Sequence, residues 1–195
     1  MILSNTLLGT KNETPMQDIL MTVITSAVVA TVVGAAINAW LESRKSNWST
    51  KLDALKTAVA LEGYAITCAD KLSDHDTAVS SRGHAGSFMG GVPEFPELSV
   101  AVGFLKTKKS SVANRLLVFP QEIYQAEQYV SAYWDCVGDP EGTREAAVQQ
   151  AAKMGHQSLV LATDIRVAFG LPNRELVFGQ YSVHDVLEKY AKNHE

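Results

Sequence analysis

The longest apolar run of the chain extends from Ile19 to Leu41 and holds no charged residue, with Asp18 before it and Glu42 after it. At about 1.5 Å per helical residue, a helix of this length would measure roughly 35 Å, enough to cross a hydrocarbon core of about 30 Å with some tilt. A cleaved signal peptide has a basic start and a shorter apolar run. The pattern therefore predicts a retained transmembrane helix at 19–41, preceded by an irregular tail at 1–18.

Within this apolar run, small or hydrogen-bonding residues recur at every fourth position and so lie along one winding face of a helix. They are Thr22, Ser26, Ala30, Gly34 and Asn38. In lipid, helices associate through close backbone approach and interhelical hydrogen bonds. The face therefore indicates a homo-oligomer formed through the membrane helix, although small residues are also common in helices that cross a membrane alone.

The charges that flank the apolar run predict its orientation. One lysine, Lys11, precedes it, whereas four basic residues follow it: Arg44, Lys45, Lys51 and Lys56. Because flanks rich in Lys and Arg stay in the cytoplasm, we expect a single-pass protein of the cell inner membrane. Its N-terminus would be outside and its C-terminal domain cytoplasmic. Trp40 and Trp48 suit the headgroup zone on the cytoplasmic side.

After the apolar run, hydrophobic residues recur at spacings of three and four, which is typical of amphipathic helices. Residues 35–62 contain neither Gly nor Pro, so the membrane helix is expected to continue into the first helix of the domain. The buried face of that helix is predicted from Trp48, Leu52, Leu55, Val59, Ile66 and Leu72. The predicted fold class is all-α: one N-terminal transmembrane helix continuing into a helical-bundle soluble domain of about four helices at 42–195.

Capping residues predict where the later helices begin and end. Pro120 suits the first turn of a new helix, since its missing N–H costs nothing there. Asp139 can cap a long helix that ends near Gly170. Ser182 and Asp185 form a capping-box pattern, which predicts the start of a last helix.

The stretch 73–96 is rich in Gly, Ser and Pro and predicts a long loop. It contains Asp74, His75 and Asp76 side by side, with His84 nearby. Carboxylate and imidazole groups bind divalent metals or transfer protons. The four residues are therefore weak metal-ligand candidates. Neighbouring residues on an extended backbone point in different directions, so helix-end and turn chemistry is the competing interpretation, and no cofactor or catalytic residue is predicted.

Charge and cysteine content exclude further classes. From residue 47 onward there are 14 Lys and Arg against 18 Asp and Glu, an acidic balance that argues against a nucleic-acid partner. Cys68 and Cys136 match no zinc, redox or secreted disulfide pattern, so both are interpreted as buried, reduced thiols. His156 and His184 each stand alone on a predicted helix and are interpreted as structural or surface residues.

Three segments carry a resemblance at the level of architecture: LDALKTAVALEGYA, FPQEIYQAEQYVSAYW and DIRVAFGLPN. With the apolar run before them, they resemble a broad set of bacterial single-pass membrane proteins with an N-terminal anchor helix, a helical stalk and a small helical cytoplasmic domain. The resemblance implies this architecture and no activity.

Three functions remain open from the sequence. The first is a membrane-anchored interaction or scaffold module that binds itself or an unknown protein partner beside the lipid bilayer. The second is a membrane-anchored enzyme or metal-binding protein that uses the 73–96 loop. The third is a small membrane-active effector. A domain of about 150 residues argues against it, because a pore-former should not require so large a domain.

Overall fold

The computed structural model describes the backbone of residues 15–98 and 110–191, and the side chains of residues 34–98 and 111–191. Helices dominate this described part, which confirms a mostly helical fold. The elements are α1 (Pro15–Ser80), α2 (Ser110–Val137), α3 (Pro140–Phe169), β1 (Val177–Phe178), β2 (Tyr181–Ser182) and α4 (Val183–Ala191). The two strands pair antiparallel. This hairpin, with Gly179 at φ 66° in its turn, was not predicted from the sequence.

Helix α1 runs without interruption from Pro15 to Ser80. The expectation that no linker separates the apolar run from the first helix of the domain is therefore met by the backbone. Residues 15–18 of the predicted tail are helical, and residues 1–14 lie outside the described part. By internal contacts the chain divides into two units, Met1–Asn47 and Trp48–Glu195.

The predicted transmembrane helix at 19–41 falls mostly on side chains outside the described residues, as do Thr22, Ser26 and Ala30 of the small-residue face. Over the residues that the structure describes, no helix has an apolar stretch long enough to cross a membrane. The predicted span therefore stays a prediction.

The buried face of α1 in the second unit differs from the one predicted. Trp48, Leu52 and Val59 are exposed, and Leu72 alone of the predicted stripe is fully buried. Mostly small side chains take their place, at Ala54, Ala58, Leu61, Tyr64, Ala65, Cys68 and Ala69. Small side chains allow the neighbouring helices to pack close to α1. The close packing of these helices stabilises the domain more than burial of the larger side chains of the predicted stripe would.

Pro120 lies inside α2 and does not begin a helix, so the predicted break there is wrong. An interior proline removes one backbone hydrogen bond and costs roughly 3 kcal/mol. Leu116 and Phe119 before it, and Ile123 and Ala126 after it, are all buried on one face of the helix. Burial of each large side chain contributes about 1.5–3 kcal/mol, which is enough to offset that cost.

The predicted caps are confirmed. Asp139 accepts hydrogen bonds from the backbone N–H groups of Glu141 and Gly142 at 3.0 and 3.1 Å. Gly170 ends α3 in the left-handed region, at φ 61°. At the start of α4, the N–H of Asp185 donates to the Ser182 hydroxyl at 3.3 Å.

The irregular segment begins at Ser81, later than the predicted start of the loop at Ser73. Residues 73–80 form the last turns of α1, where Ala78 is fully buried against the rest of the domain. The Ser81 hydroxyl then accepts from the N–H of Ala85 at 2.9 Å and so closes the first turn of the segment. Tertiary burial thus extends the helix beyond the point where composition predicts its end.

A buried ion pair joins α1 to α3. Arg166 donates from Nε to Glu62 Oε1 at 2.5 Å and from Nη2 to Glu62 Oε2 at 3.0 Å, with side chains 6% and 3% exposed. Its Nη1 donates to the carbonyl of Pro172 at 2.8 Å. About two turns earlier on α3, the Ser158 hydroxyl donates to the carbonyl of Leu61 at 2.9 Å. These bonds fix the register of the two helices and hold the chain that follows α3.

Three helices converge at Gly155 of α3. A Cβ atom at this position would lie 2.7 Å from Leu187 Cδ2 of α4 and 2.8 Å from Cys68 Cβ of α1. Contacts this short cannot be accommodated without moving a helix, because the neighbouring atoms belong to fully buried side chains. Glycine at 155 is therefore what lets α1, α3 and α4 meet.

The first prediction concerns the ion pair. Arg166→Met leaves the Glu62 carboxylate buried without its bidentate partner, so we expect the free energy of unfolding to fall by about 3–5 kcal/mol. Denaturant titration of the full chain in detergent, followed by circular dichroism, measures the change. Arg115→Met is the matched control. It breaks the half-exposed ion pair with Asp164, for which we expect a loss below about 1 kcal/mol. Equal losses in the two variants would contradict the structural role of the buried pair.

Candidate functional site

The residues predicted as a metal-binding loop do not come together in the structure. Asp74 and His84 are exposed, and neither belongs to a group of three or more potential ligands among the described residues. His75 Nδ1 accepts a hydrogen bond from the backbone N–H of Met89 at 3.2 Å. Burial lowers the pKa of His75, which favours the neutral imidazole that this bond requires. His75 thus fixes the irregular segment to the end of α1.

Asp76 is held by the last helix. Its carboxylate forms an ion pair with Lys189 at 2.9 Å and accepts a hydrogen bond from the hydroxyl of Tyr190. Burial alone would raise the pKa of Asp76, but the hydrogen bonds from Tyr190 and Lys189 outweigh burial and hold that pKa below its ordinary value. Asp76 therefore attaches α4 to α1.

A different cluster of histidine and carboxylate groups lies at the start of α4. His184, Asp185 and Glu188 place one potential ligand atom each within 4.8 Å of one another. The imidazole of His156, on α3, lies beside that of His184, with ring centroids 5.9 Å apart. The two histidines were interpreted as structural or surface residues from the sequence, which did not indicate that their rings lie side by side. The i, i+4 spacing of His184 and Glu188 was visible in the sequence, whereas the approach of His156 depends on the packing of α3 against α4.

An open groove runs between α2 and the irregular segment. One part of it, of about 740 Å³, has Phe88, Met89 and Gly91 on one side and Trp134 on the other. A second part, of about 590 Å³, lies between Val92–Leu98 and α2. The Glu127 side chain lines both parts. Sequence analysis missed this groove because its two walls are far apart along the chain.

The groove presents aromatic surface to solvent. Trp134 is 50% exposed and Tyr124 is 60% exposed, and both lie on α2. Phe88 is also exposed, and the guanidinium carbon of Arg144 lies 4.3 Å from the centre of its ring. This cation–π contact holds Phe88 at the edge of the groove. Half-exposed aromatic side chains in a recess are typical of protein-binding surfaces.

The second half of the irregular segment has a non-helical backbone within the described residues. Residues 87–98 form no helix or strand, and among the described residues the only hydrogen bond we find for their backbone is that from Met89 N to His75. Gly90 and Gly91 bring no side chain that would shield this stretch, and a Cβ at either would meet nothing within 4 Å. The stretch therefore lies beside the groove without regular backbone pairing to the described part of the chain.

In the first unit, the described part of α1 carries exposed aromatic and basic residues. Trp40 is 59% exposed and Leu41 is 50% exposed. The guanidinium carbon of Arg44 lies 5.3 Å from the centre of the Trp40 ring. Gly34 and Asn38 are the two described members of the small-residue face. A Cβ at Gly34 would meet nothing within 4 Å. In the second unit, Trp48 is 73% exposed.

The two cysteines lie in different surroundings. Both are free thiols; Cys68 is buried and Cys136 is exposed. The prediction that both are buried is thus wrong for Cys136, which lies near the end of α2, where the helix presents few buried residues. Burial raises the pKa of the Cys68 thiol to about 12.

The second prediction follows from this difference. At pH 8 we expect a maleimide or iodoacetamide to modify Cys136 and leave Cys68 intact, because the reactive thiolate of Cys68 is both scarce and shielded. Mass spectrometry of the native and then the unfolded chain measures the labelling of each site. One label in the native state and two after unfolding is the expected result. Rapid modification of Cys68 in the native state would contradict the packing around Gly155.

Comparison with known proteins adds no identification: the chain matches no family model, no curated protein and no solved structure. Its function therefore has to be inferred from the residues described above.

Proposed function

We propose that this chain is a single-pass protein of the cell inner membrane whose helical domain binds a partner protein on the cytoplasmic side. The uncharged run 19–41 supports the anchor, because its length suits a bilayer core. The unbroken course of α1 supports it further, since the anchor and the first helix of the domain belong to one helix. The basic residues Arg44 and Lys45 support the N-out, C-in orientation.

The exposed residues of α1 in the first unit fit the same proposal. Trp40 and Leu41 present apolar surface, and Arg44 lies over the Trp40 ring. Trp40 and Arg44 together suit the headgroup zone of a bilayer. The aromatic ring can contact acyl chains there, and the guanidinium can contact lipid phosphates. On this proposal the lipid bilayer, rather than a protein, covers this part of α1.

The groove between α2 and the irregular segment carries the interaction role. Its aromatic side chains, Phe88, Tyr124 and Trp134, are the type that supplies most binding energy at protein interfaces. The backbone at residues 90–92 would pair with another chain in extended conformation. We therefore assign the groove to an extended peptide segment of the partner protein, which would bury its apolar side chains between Phe88 and Trp134.

The alternatives from the sequence gain less support. Two of the four loop candidates for an enzyme or a metal site already hold the fold, His75 through Met89 and Asp76 through Lys189 and Tyr190. The proposal is compatible with a homo-oligomer formed through the membrane helix. The residues predicted to pack in it lie on the predicted span: Thr22, Ser26, Ala30, Gly34 and Asn38.

The third prediction tests the groove. A photoreactive amino acid placed at Tyr124 or Trp134 of the full chain in native membranes should form one defined adduct with a partner. Mass spectrometry should map the crosslink to a single segment of that partner. Val167 is the matched control, since it is 67% exposed and lies outside the groove.

A synthetic peptide of the mapped segment should then bind the purified full chain. We expect Trp134→Ala to weaken this binding by about tenfold or more, the effect of losing an aromatic anchor. Gly91→Pro should also weaken it, because the change removes one backbone donor from residues 90–92. The same adducts from Val167, adducts with a second copy of the chain alone, or peptide binding that is unchanged in both variants would refute the assignment.

A further inference from the structure

The histidine and carboxylate cluster at the start of α4 has the spacing of a metal site. His184 Nδ1 lies 3.5 Å from Asp185 Oδ1 and 3.9 Å from Glu188 Oε2. Bonds of about 2.0–2.2 Å in tetrahedral geometry place the ligand atoms of a zinc ion about 3.3–3.6 Å apart. The observed separations therefore require small movements of exposed or half-buried side chains and no movement of the backbone.

The helix itself brings two of these ligands together. His184 and Glu188 are four residues apart on α4 and thus lie on the same face, one turn from each other. The first turn of α4 is in turn fixed by the hydrogen bond from Asp185 N to the Ser182 hydroxyl. The backbone that carries the three ligand side chains is consequently fixed.

A second imidazole lies near this group, on a different helix. The imidazole of His156 on α3 lies 5.9 Å from that of His184, centroid to centroid, with their planes inclined at 58°. For two imidazoles that share one tetrahedral ion with bonds of about 2.0–2.1 Å, the centroids would be about 5 Å apart. The two ring centroids are thus about 1 Å further apart than a shared ion requires. The ligand group within 4.8 Å holds His184, Asp185 and Glu188 alone, so His156 would become the fourth ligand by rotation of its side chain toward the ion.

We propose that His156, His184, Asp185 and Glu188 bind a divalent transition metal of the zinc class. Imidazole ligands favour Zn²⁺ over Mg²⁺ and Ca²⁺, which prefer oxygen alone. The cluster lies outside the groove, so the proposal is independent of the partner-binding function. Its consequence is structural: the ion would join α4 to α3, in addition to the attachment of α4 to α1 through Asp76 and Lys189.

The fourth prediction tests this site with the full chain, purified in detergent without a polyhistidine tag and stripped of metal. Titration with Co²⁺, whose visible absorption reports tetrahedral coordination, should show one equivalent bound, and Zn²⁺ should displace it. Zn²⁺ should also raise the unfolding temperature and slow hydrogen exchange in α4. His184→Ala and His156→Ala should each weaken binding by at least about tenfold, the lower end of what the loss of even an outer-shell partner costs.

His84→Ala is the matched control, because it removes an exposed histidine from the 73–96 segment. We expect its metal affinity to equal that of the unchanged chain. His156 and His184 are not fully buried, so their replacement should leave the fold intact, which circular dichroism verifies. Absence of Co²⁺ binding, equal binding in His184→Ala and the unchanged chain, or loss of binding in His84→Ala would each overturn the proposal.

Discussion

The bidentate ion pair between Glu62 and Arg166 is the interaction on which the rest of the domain depends. Removing two charges from water costs several kcal/mol for each ion, so such a pair persists only where geometry and further hydrogen bonds compensate. Here both carboxylate oxygens are bonded, and the third arm of the guanidinium holds the carbonyl of Pro172. The pair sets the register of α1 against α3. That register brings Gly155 opposite Cys68, and Leu187 of α4 then packs against the same glycine.

The parts of the fold that were predictable follow from local rules. Asp139 caps the start of α3 and Gly170 caps its end, as their positions in the sequence indicate. Ser182 likewise caps the start of α4. The buried face of α1 was mispredicted because large apolar residues, such as Trp48 and Leu52, dominate a periodicity argument. Alanines at close helix contacts carry little weight in such an argument, although Ala54 and Ala58 are fully buried.

The candidate sites were harder to predict, because each depends on contacts between distant parts of the chain. Residues 74–76 were metal-ligand candidates because two carboxylates and an imidazole are adjacent in the sequence. In the structure, His75 bonds the irregular segment and Asp76 bonds α4. His156 and His184 are 28 positions apart and meet only because α4 folds back onto α3. The groove likewise needs Phe88 and Trp134 on opposite walls. No local sequence pattern predicts these contacts between distant residues.

The proposed function requires that α1 anchors the chain in the membrane and continues into a domain on the cytoplasmic side. The exposed thiol of Cys136 offers a direct measurement, because Cys68 is shielded within the fold. A membrane-impermeant maleimide is applied to sealed inner-membrane vesicles of each orientation. Cys136 should be labelled in inverted vesicles and protected in right-side-out vesicles until they are permeabilised. Labelling in intact right-side-out vesicles would contradict the orientation, and recovery of the chain in the soluble fraction would contradict the anchor.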